Sequence, residues 1–239
     1  MGCQSVICLI ELKKGHKGLL EYIHIDCDGN DIGLPAGKIV CVGRNYLQHI
    51  KELENEVPSE PVLFIKPSTA LSPLNKAVVL PNGLGACHNE LEVSVLIKAT
   101  LCKASIQDVE AAIWGVGVGL DLTLRDVQSS LKQRGHPWER AKAFDSSCPM
   151  SQLVNKDKVE SLSDLDFSLT VNNKIRQQGN SQDMLFPIVK VLVDISNTFT
   201  LLPGDIVMTG TPQGVAALST GDQLIIELNG HFSVRTSVV

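Results

Sequence analysis

Pro58, Pro61, Pro67 and Pro73 follow one another so closely that no helix of ordinary length fits among them. A helix interior cannot accommodate a residue that lacks the backbone N–H and clashes with the preceding turn. The apolar run Val62-Leu63-Phe64-Ile65, caught between two of these prolines, reads as an extended strand. Short Val/Ile/Leu-rich runs recur over 38–42, 90–97, 205–209, 223–227 and 232–238, each bounded by turn-forming residues. Gly115 to Leu122 reads as a further strand, and Phe167–Val171 and Ile175–Gln178 flank Asn172-Asn173-Lys174, a hairpin signal. Helical patterning is confined to 47–56, to 106–112 with Ser105 as cap, and to 123–133, stopped by Gly135 and Pro137. A last helix is expected over 186–197, with Leu185, Ile188, Val189, Leu192 and Ile195 on one face. The predicted class is α+β with a mixed, largely antiparallel sheet system.

Two short strands, over 5–11 and 19–25 around the turn Lys14–Gly18, make residues 1–36 a small N-terminal β extension on a main unit of 37–239. No internal repeat or long linker divides that unit. At 239 residues with 44% in the hydrophobic set, the chain can bury a substantial core as one domain. A formal net charge of -5 and 4% aromatics remove the electrostatic and stacking terms on which nucleic-acid binding depends. No segment approaches the apolar length of a membrane-spanning helix, and Met1 to Ile10 lacks the basic start and cleavage site of a secretory signal, so the expectation is a cytoplasmic protein. The seven cysteines are scattered without a Cys-x-x-Cys pair, which speaks against a disulfide framework or zinc knuckle. Cys87 beside His88 is the one sequence-adjacent thiol–imidazole pair, but neighbouring strand residues point to opposite faces.

The chemistry concentrates in a few acidic and basic positions. In His88-Asn89-Glu90-Leu91-Glu92, alternate residues of a strand place His88, Glu90 and Glu92 in one row. On a solvent-facing edge such a row would be ordinary. Here the strand runs on into an apolar core segment, and two neighbouring carboxylates repel unless a cation lies between them. Asp121, at the end of the Gly115–Leu120 run, is a third carboxylate that is costly to bury alone. Together the three would form an oxygen-rich site suited to Mg²⁺ or Mn²⁺, with open positions for water and substrate. The alternate glycines leave room for another backbone or a ligand, and their spacing is not that of a dinucleotide-binding loop. His49 and Glu52 stand three residues apart on the 47–56 helix, where a carboxylate can orient an imidazole as a general base. Lys66, Arg125, Gln128 and Lys142 flank apolar runs from which they could face an anion, and the Thr209–Gly214 loop could offer N–H groups and the Thr211 hydroxyl to a carboxylate.

These motifs, in this order, resemble the fumarylacetoacetate hydrolase family and its short acylpyruvase-like branch. The resemblance rests on Gly43-Arg44-Asn45-Tyr46, Pro61 through Pro67, His88-x-Glu90-x-Glu92, Asp121 through Gln128, Ala141-Lys142 and Gly204 through Val215. It implies a mixed β-roll or sandwich, a homodimer, and Mg²⁺ or Mn²⁺ held by Glu90, Glu92 and Asp121. It further implies a small oxo-carboxylate substrate, a lid carrying His49 and Glu52, an oxyanion-stabilising pair in Lys142 and Gln128, and substrate contacts from Arg44, Tyr46, Lys66, Arg125 and Thr211. The leading expectation is hydrolysis of the C–C bond of acylpyruvates through an enolate. Oxaloacetate decarboxylation or tautomerisation, and isomerisation or decarboxylation of 2-hydroxymuconate-type diacids, are the alternatives within the family. A non-catalytic oxo-acid-binding protein is the alternative outside it.

Overall fold

A computed structural model describes residues 22–239. The strands expected over 5–11, the turn at 14–18 and the start of 19–25 lie outside the described residues. Of that last segment, Ile25 makes only an isolated bridge to Asp31.

The strands are β1 Ile39–Gly43, β2 Val62–Lys66, β3 Leu71–Pro73, β4 Cys87–Asn89 and β5 Leu91–Ile97. They continue as β6 Ile113–Leu120, β7 Thr123–Leu124, β8 Cys148–Met150, β9 Val154–Asn155 and β10 Asp166–Val171. The last are β11 Lys174–Asn180, β12 Ile206–Met208, β13 Ala216–Ala217, β14 Gln223–Leu228 and β15 Phe232–Ser237. Five short helices intervene: α1 Leu47–Glu52, α2 Ile106–Ala112, α3 Arg125–Gln133, α4 Glu139–Lys142 and α5 Ile188–Thr198. The expected α+β class is the observed one. Ser105 caps α2 through a reciprocal pair with Asp108, and Asn172 and Asn173 both take positive φ in the β10–β11 turn.

The largest sheet runs β2-β1-β12-β5-β6-β8-β3, with β9 added to β6, and only the β1–β12 and β3–β8 pairs are parallel. Its edges, β2 and β3, are joined directly through residues 67–70. In a flat sheet six inter-strand spacings would hold those edges about 29 Å apart, whereas a link of that length reaches at most about 18 Å. The sheet must therefore curl until its edges approach. Alternation along the strands then builds two cores. Ile39, Cys41, Leu96, Met150 and Met208 pack inside the curl, while Val40, Val93, Val95, Val118 and Val207 face outward. A four-stranded sheet, β11-β10-β14-β15, and helix α5 close over that outer face with Phe167, Leu169, Ile226 and Leu192.

Two expectations are corrected. Helix α5 begins after Pro187, and its buried side is Ile188, Val191, Leu192 and Ile195; Leu185 precedes it and stays exposed. The run 123–133 is not all helix, because Thr123 and Leu124 pair with β4 as strand β7.

Residues 22–36 seal one end of the curl. Tyr22, Ile32 and Leu34 pack on the inner core, and the buried His24 ring reaches the Gly204 carbonyl at 3.1 Å. Gly204 precedes β12 and Gly210 follows it, so this plug lies at the opposite end of the strands from Glu92, which bonds to Gly210.

The alternating glycines of β6 answer to backbone packing. A Cβ on Gly115 would lie 2.0 Å from the Val154 carbonyl oxygen, and one on Gly119 would lie 2.5 Å from Met150 Sδ. Gly115→Ala should force β9 away from β6 and cost about 1–3 kcal/mol. Thermal unfolding should then fall by about 2–12 °C; an unchanged midpoint would mean the close approach is not rigid.

Candidate active site

The site grows from the point where the chain leaves one sheet for another. Strand β4 belongs to a small sheet with β7 and β13, whereas β5 belongs to the curled sheet, so Glu90 occupies the corner between them. The Asp121 N–H donates to the Glu90 carbonyl at 2.8 Å, setting the two residues side by side where β6 ends. Glu92 pairs with Gly119 and projects from the same face. Glu90, Glu92 and Asp121 are 5%, 2% and 1% exposed, and each places a carboxylate oxygen within 4.8 Å of the other two. The predicted row is broken at its first member. His88 remains in the small sheet, half-buried, with its Nδ1 3.5 Å from Arg125 Nε, because the corner at Glu90 redirects the strand.

Buried cations compensate two of the three carboxylates. Lys142 Nζ bridges Glu90 Oε2 at 2.7 Å and Asp121 Oδ2 at 2.6 Å and lies over the Phe64 ring. Lys66 Nζ is 2.8 Å from Asp121 Oδ1 and also donates to the Lys142 carbonyl and to Ser147. Arg125 pairs with the other oxygen of Glu90 and donates to Gln128 Oε1 at 2.7 Å. Burial alone would raise the Glu90 carboxyl, but Lys142 and Arg125 outweigh it and hold that group below the usual carboxylate range. Burial also opposes the Lys142 charge, yet Asp121 and Glu90 keep its ammonium above the ordinary value.

Glu92 is different. Its polar partner is the Gly210 N–H at 2.7 Å, and burial followed by repulsion from Asp121 and Glu90 pushes its carboxyl well above the usual range. A buried acid with no cation of its own, beside two further carboxylates, fits a hard divalent ion held through oxygen.

The Gly43–Tyr46 turn carries helix α1 to the wall of this cleft. Arg44 adopts a positive φ of 57°. Asn45, part of the Gly43–Tyr46 motif but given no role by it, is fully buried and donates to the Thr209 carbonyl at 2.8 Å and the Phe186 carbonyl at 3.0 Å. His49 Nδ1 lies 3.2 Å from Glu52 Oε2, and Glu52 Oε1 accepts from the Gly214 N–H at 3.0 Å, so α1 is latched onto the 209–214 loop. His49, Arg44, Arg125, Gln128, Lys142 and Thr211 all line the cleft with the triad.

Two expected residues lie off the cleft wall, and a third lines it with its hydroxyl already bonded. Tyr46 is absent from the cleft wall and packs edge-on against Phe167 in the core, 6.4 Å between centroids. Lys66 is fully buried behind the triad, where it holds Asp121. The Thr211 hydroxyl is committed to the Leu91 carbonyl and to Gln177 Nε2, each at 2.8 Å. Conversely, Lys132, Asn55 and Trp138 line the cleft without having been singled out. Lys132 had a usable signal, since 125, 128 and 132 share one helical face. The Cys87 thiol is buried and pushed up to about 11, chiefly by desolvation, which removes it as a nucleophile.

Glu92→Gln should leave metal-free protein at least as stable as wild type. Wild-type protein should gain about 5–10 °C in unfolding midpoint when Mg²⁺ or Mn²⁺ is added at about a hundred times its dissociation constant, and the variant should gain little. An equal gain in both would detach Glu92 from cation binding.

Residues 38–239 match the family model described as Fumarylacetoacetate (FAA) hydrolase C-terminal. The chain is 48% identical over 219 residues to the oxaloacetate tautomerase YcgM of Escherichia coli (strain K12), covering 91% of this chain and 100% of that protein. It is 40% identical to the mitochondrial oxaloacetate tautomerase FAHD1 of Bos taurus, with 84% and 90% covered. A fumarylacetoacetate hydrolase family protein from Yersinia pestis CO92 superposes with a TM-score of 0.90 at 48% identity, covering 91% of this chain and 100% of that one. The fumarylpyruvate hydrolase from Pseudomonas aeruginosa, solved in complex with Mn²⁺ and pyruvate, superposes with a TM-score of 0.84 at 32% identity, covering 94% and 99%. With the matched segment spanning the curled sheet and every residue of the carboxylate cleft, the chain belongs to the fumarylacetoacetate hydrolase family.

Proposed function

We propose that this protein interconverts the keto and enol forms of oxaloacetate with Mg²⁺ or Mn²⁺ held by Glu90, Glu92 and Asp121. The observation that carries the proposal is the meeting of two unlike groups in one cleft, His49, bonded from behind by Glu52, on one wall and the buried carboxylate triad on the floor. Similarity to the oxaloacetate tautomerases supports this substrate. A divalent ion bound there would polarise the 2-oxo group and make the adjacent carbon more acidic.

The remaining work falls to side chains. With Nδ1–H donated to Glu52, His49 keeps Nε2 free to take a proton from carbon 3 of the keto form; the enolate oxygen then takes a proton from solvent and the imidazolium gives its own back to solvent, both transfers reversing for the enol. The Lys142 ammonium sets positive charge beside the oxygen on which negative charge develops. Gln128, whose Oε1 already accepts from Arg125, has its NH₂ left to donate to the substrate. Burial of the floor strengthens each of these interactions relative to water.

A second reading, hydrolysis of acylpyruvates, uses the same base to activate water for attack on the distal carbonyl, with the C–C bond then breaking to release pyruvate enolate. It is the leading expectation from the sequence motifs, and the similarity to fumarylpyruvate hydrolase favours it. Tautomerisation asks less of the site, because it moves only protons and breaks no C–C bond.

Purified protein with Mg²⁺ should accelerate the decay of the oxaloacetate enol absorbance far more than it consumes acetylpyruvate. Rapid acetylpyruvate cleavage without an effect on the enol would replace the first reading by the second. A chelator should abolish the activity, and His49→Gln should lower kcat by about 10²–10⁴-fold; full activity in that variant would remove the base assignment.

A further inference from the structure

Lys132 and Arg44, the latter among the substrate contacts implied by the family resemblance, are two cleft-lining cations that take no part in the proton transfer above. Neither makes an ion pair among the described residues. Lys132 extends from the same face of α3 as Arg125 and Gln128, one turn further from the floor. Its Nζ rests 3.1 Å from Asn55 Oδ1, a neutral acceptor that leaves the charge uncompensated. Arg44, held in a left-handed turn that Asn45 pins to the 186 and 209 backbones, lines the same cleft close enough for its charge to act on Lys132.

The three carboxylates lining this cleft are the triad on its floor. No further carboxylate among the cleft-lining residues offsets the two cations. Desolvation, then the nearby Arg44 and Arg125, lower the Lys132 ammonium, as expected for cations gathered without an anion. Two cations at a cleft mouth, set apart from the groups that would hold an oxo-acid head, match a second carboxylate on the same ligand.

We propose that Lys132, with Arg44, forms a subsite for the far carboxylate of the substrate and so selects oxo-dicarboxylates over oxo-monocarboxylates. The inference rests on the oxo-acid reading of the site and adds which end of the molecule confers selectivity. Lys132 touches Asn55, whose own N–H is bonded to the Ile50 carbonyl of α1 at 3.0 Å. Recognition of the far acid thus takes place next to the helix that carries His49.

Binding of an unreactive pair separates this idea from the catalytic one. Malate and 2-hydroxybutyrate share a metal-chelating head and differ in the far group, carboxylate against methyl. Titration calorimetry of the Mg²⁺-loaded full chain should show malate binding about tenfold or more tighter. Lys132→Met should shrink that preference to about threefold or less, and Lys132→Arg should retain most of it. Added salt should weaken malate more than 2-hydroxybutyrate. Equal affinity of the two acids in wild type, binding of neither, or a preference that survives Lys132→Met with Arg44→Met would overturn the subsite. Absence of the preference in wild type alongside intact oxaloacetate tautomerisation sinks this inference alone. An intact preference without tautomerisation sinks only the catalytic reading.

Discussion

Three carboxylates buried within one small volume are the interaction on which the rest of this molecule turns. Like charges at that separation repel strongly in a medium less polar than water, and the fold brings Lys66, Lys142 and Arg125 to meet them. Compensation stops short of Glu92, whose carboxyl is left with a single backbone N–H. That shortfall suits the site to a small divalent cation held through oxygen, and it is tolerable in the core because the surrounding sheet supplies so much apolar burial.

The curl of the large sheet makes the arrangement possible. Bringing β2 near β3 places Lys66, at the end of one edge strand, behind Asp121, at the end of a central one. The curl also encloses an inner core that residues 22–36 close at one end, leaving the other end for chemistry. Stability and reactivity are thereby divided along the strands: apolar side chains fill the middle, and charged ones crowd the open rim.

Much of this was legible before any coordinates. The apolar run over 90–97 and the Gly–Val alternation that begins at Gly115 mark buried strands, Ser105 marks a helix start, and the Asn172-Asn173 pair marks a hairpin, because each depends on neighbours within a few residues. Carboxylates that interrupt otherwise apolar strands stood out for the same reason. Illegible were the features that depend on where distant segments meet. A strand reading of 88–92 kept His88 with the glutamates, since nothing in the local pattern shows that the chain changes sheets at Glu90. Nothing local to Tyr46 shows that its ring packs against Phe167 rather than toward a ligand. Asn45 gave no sign that it ties the turn before α1 to residues 186 and 209.

By itself the sequence determined the class of fold, the short and punctuated elements, and the identity of the acidic and basic groups, because propensity, periodicity and side-chain chemistry are local properties. Tertiary structure decided which of those groups share a solvent. It set Lys66 behind the site rather than in it, gave the β6 glycines to the Val154 and Met150 segments, and drew Lys132 and Arg44 together at the mouth. Charge interactions act through space and depend on burial, so their outcome is written only where the chain has closed on itself.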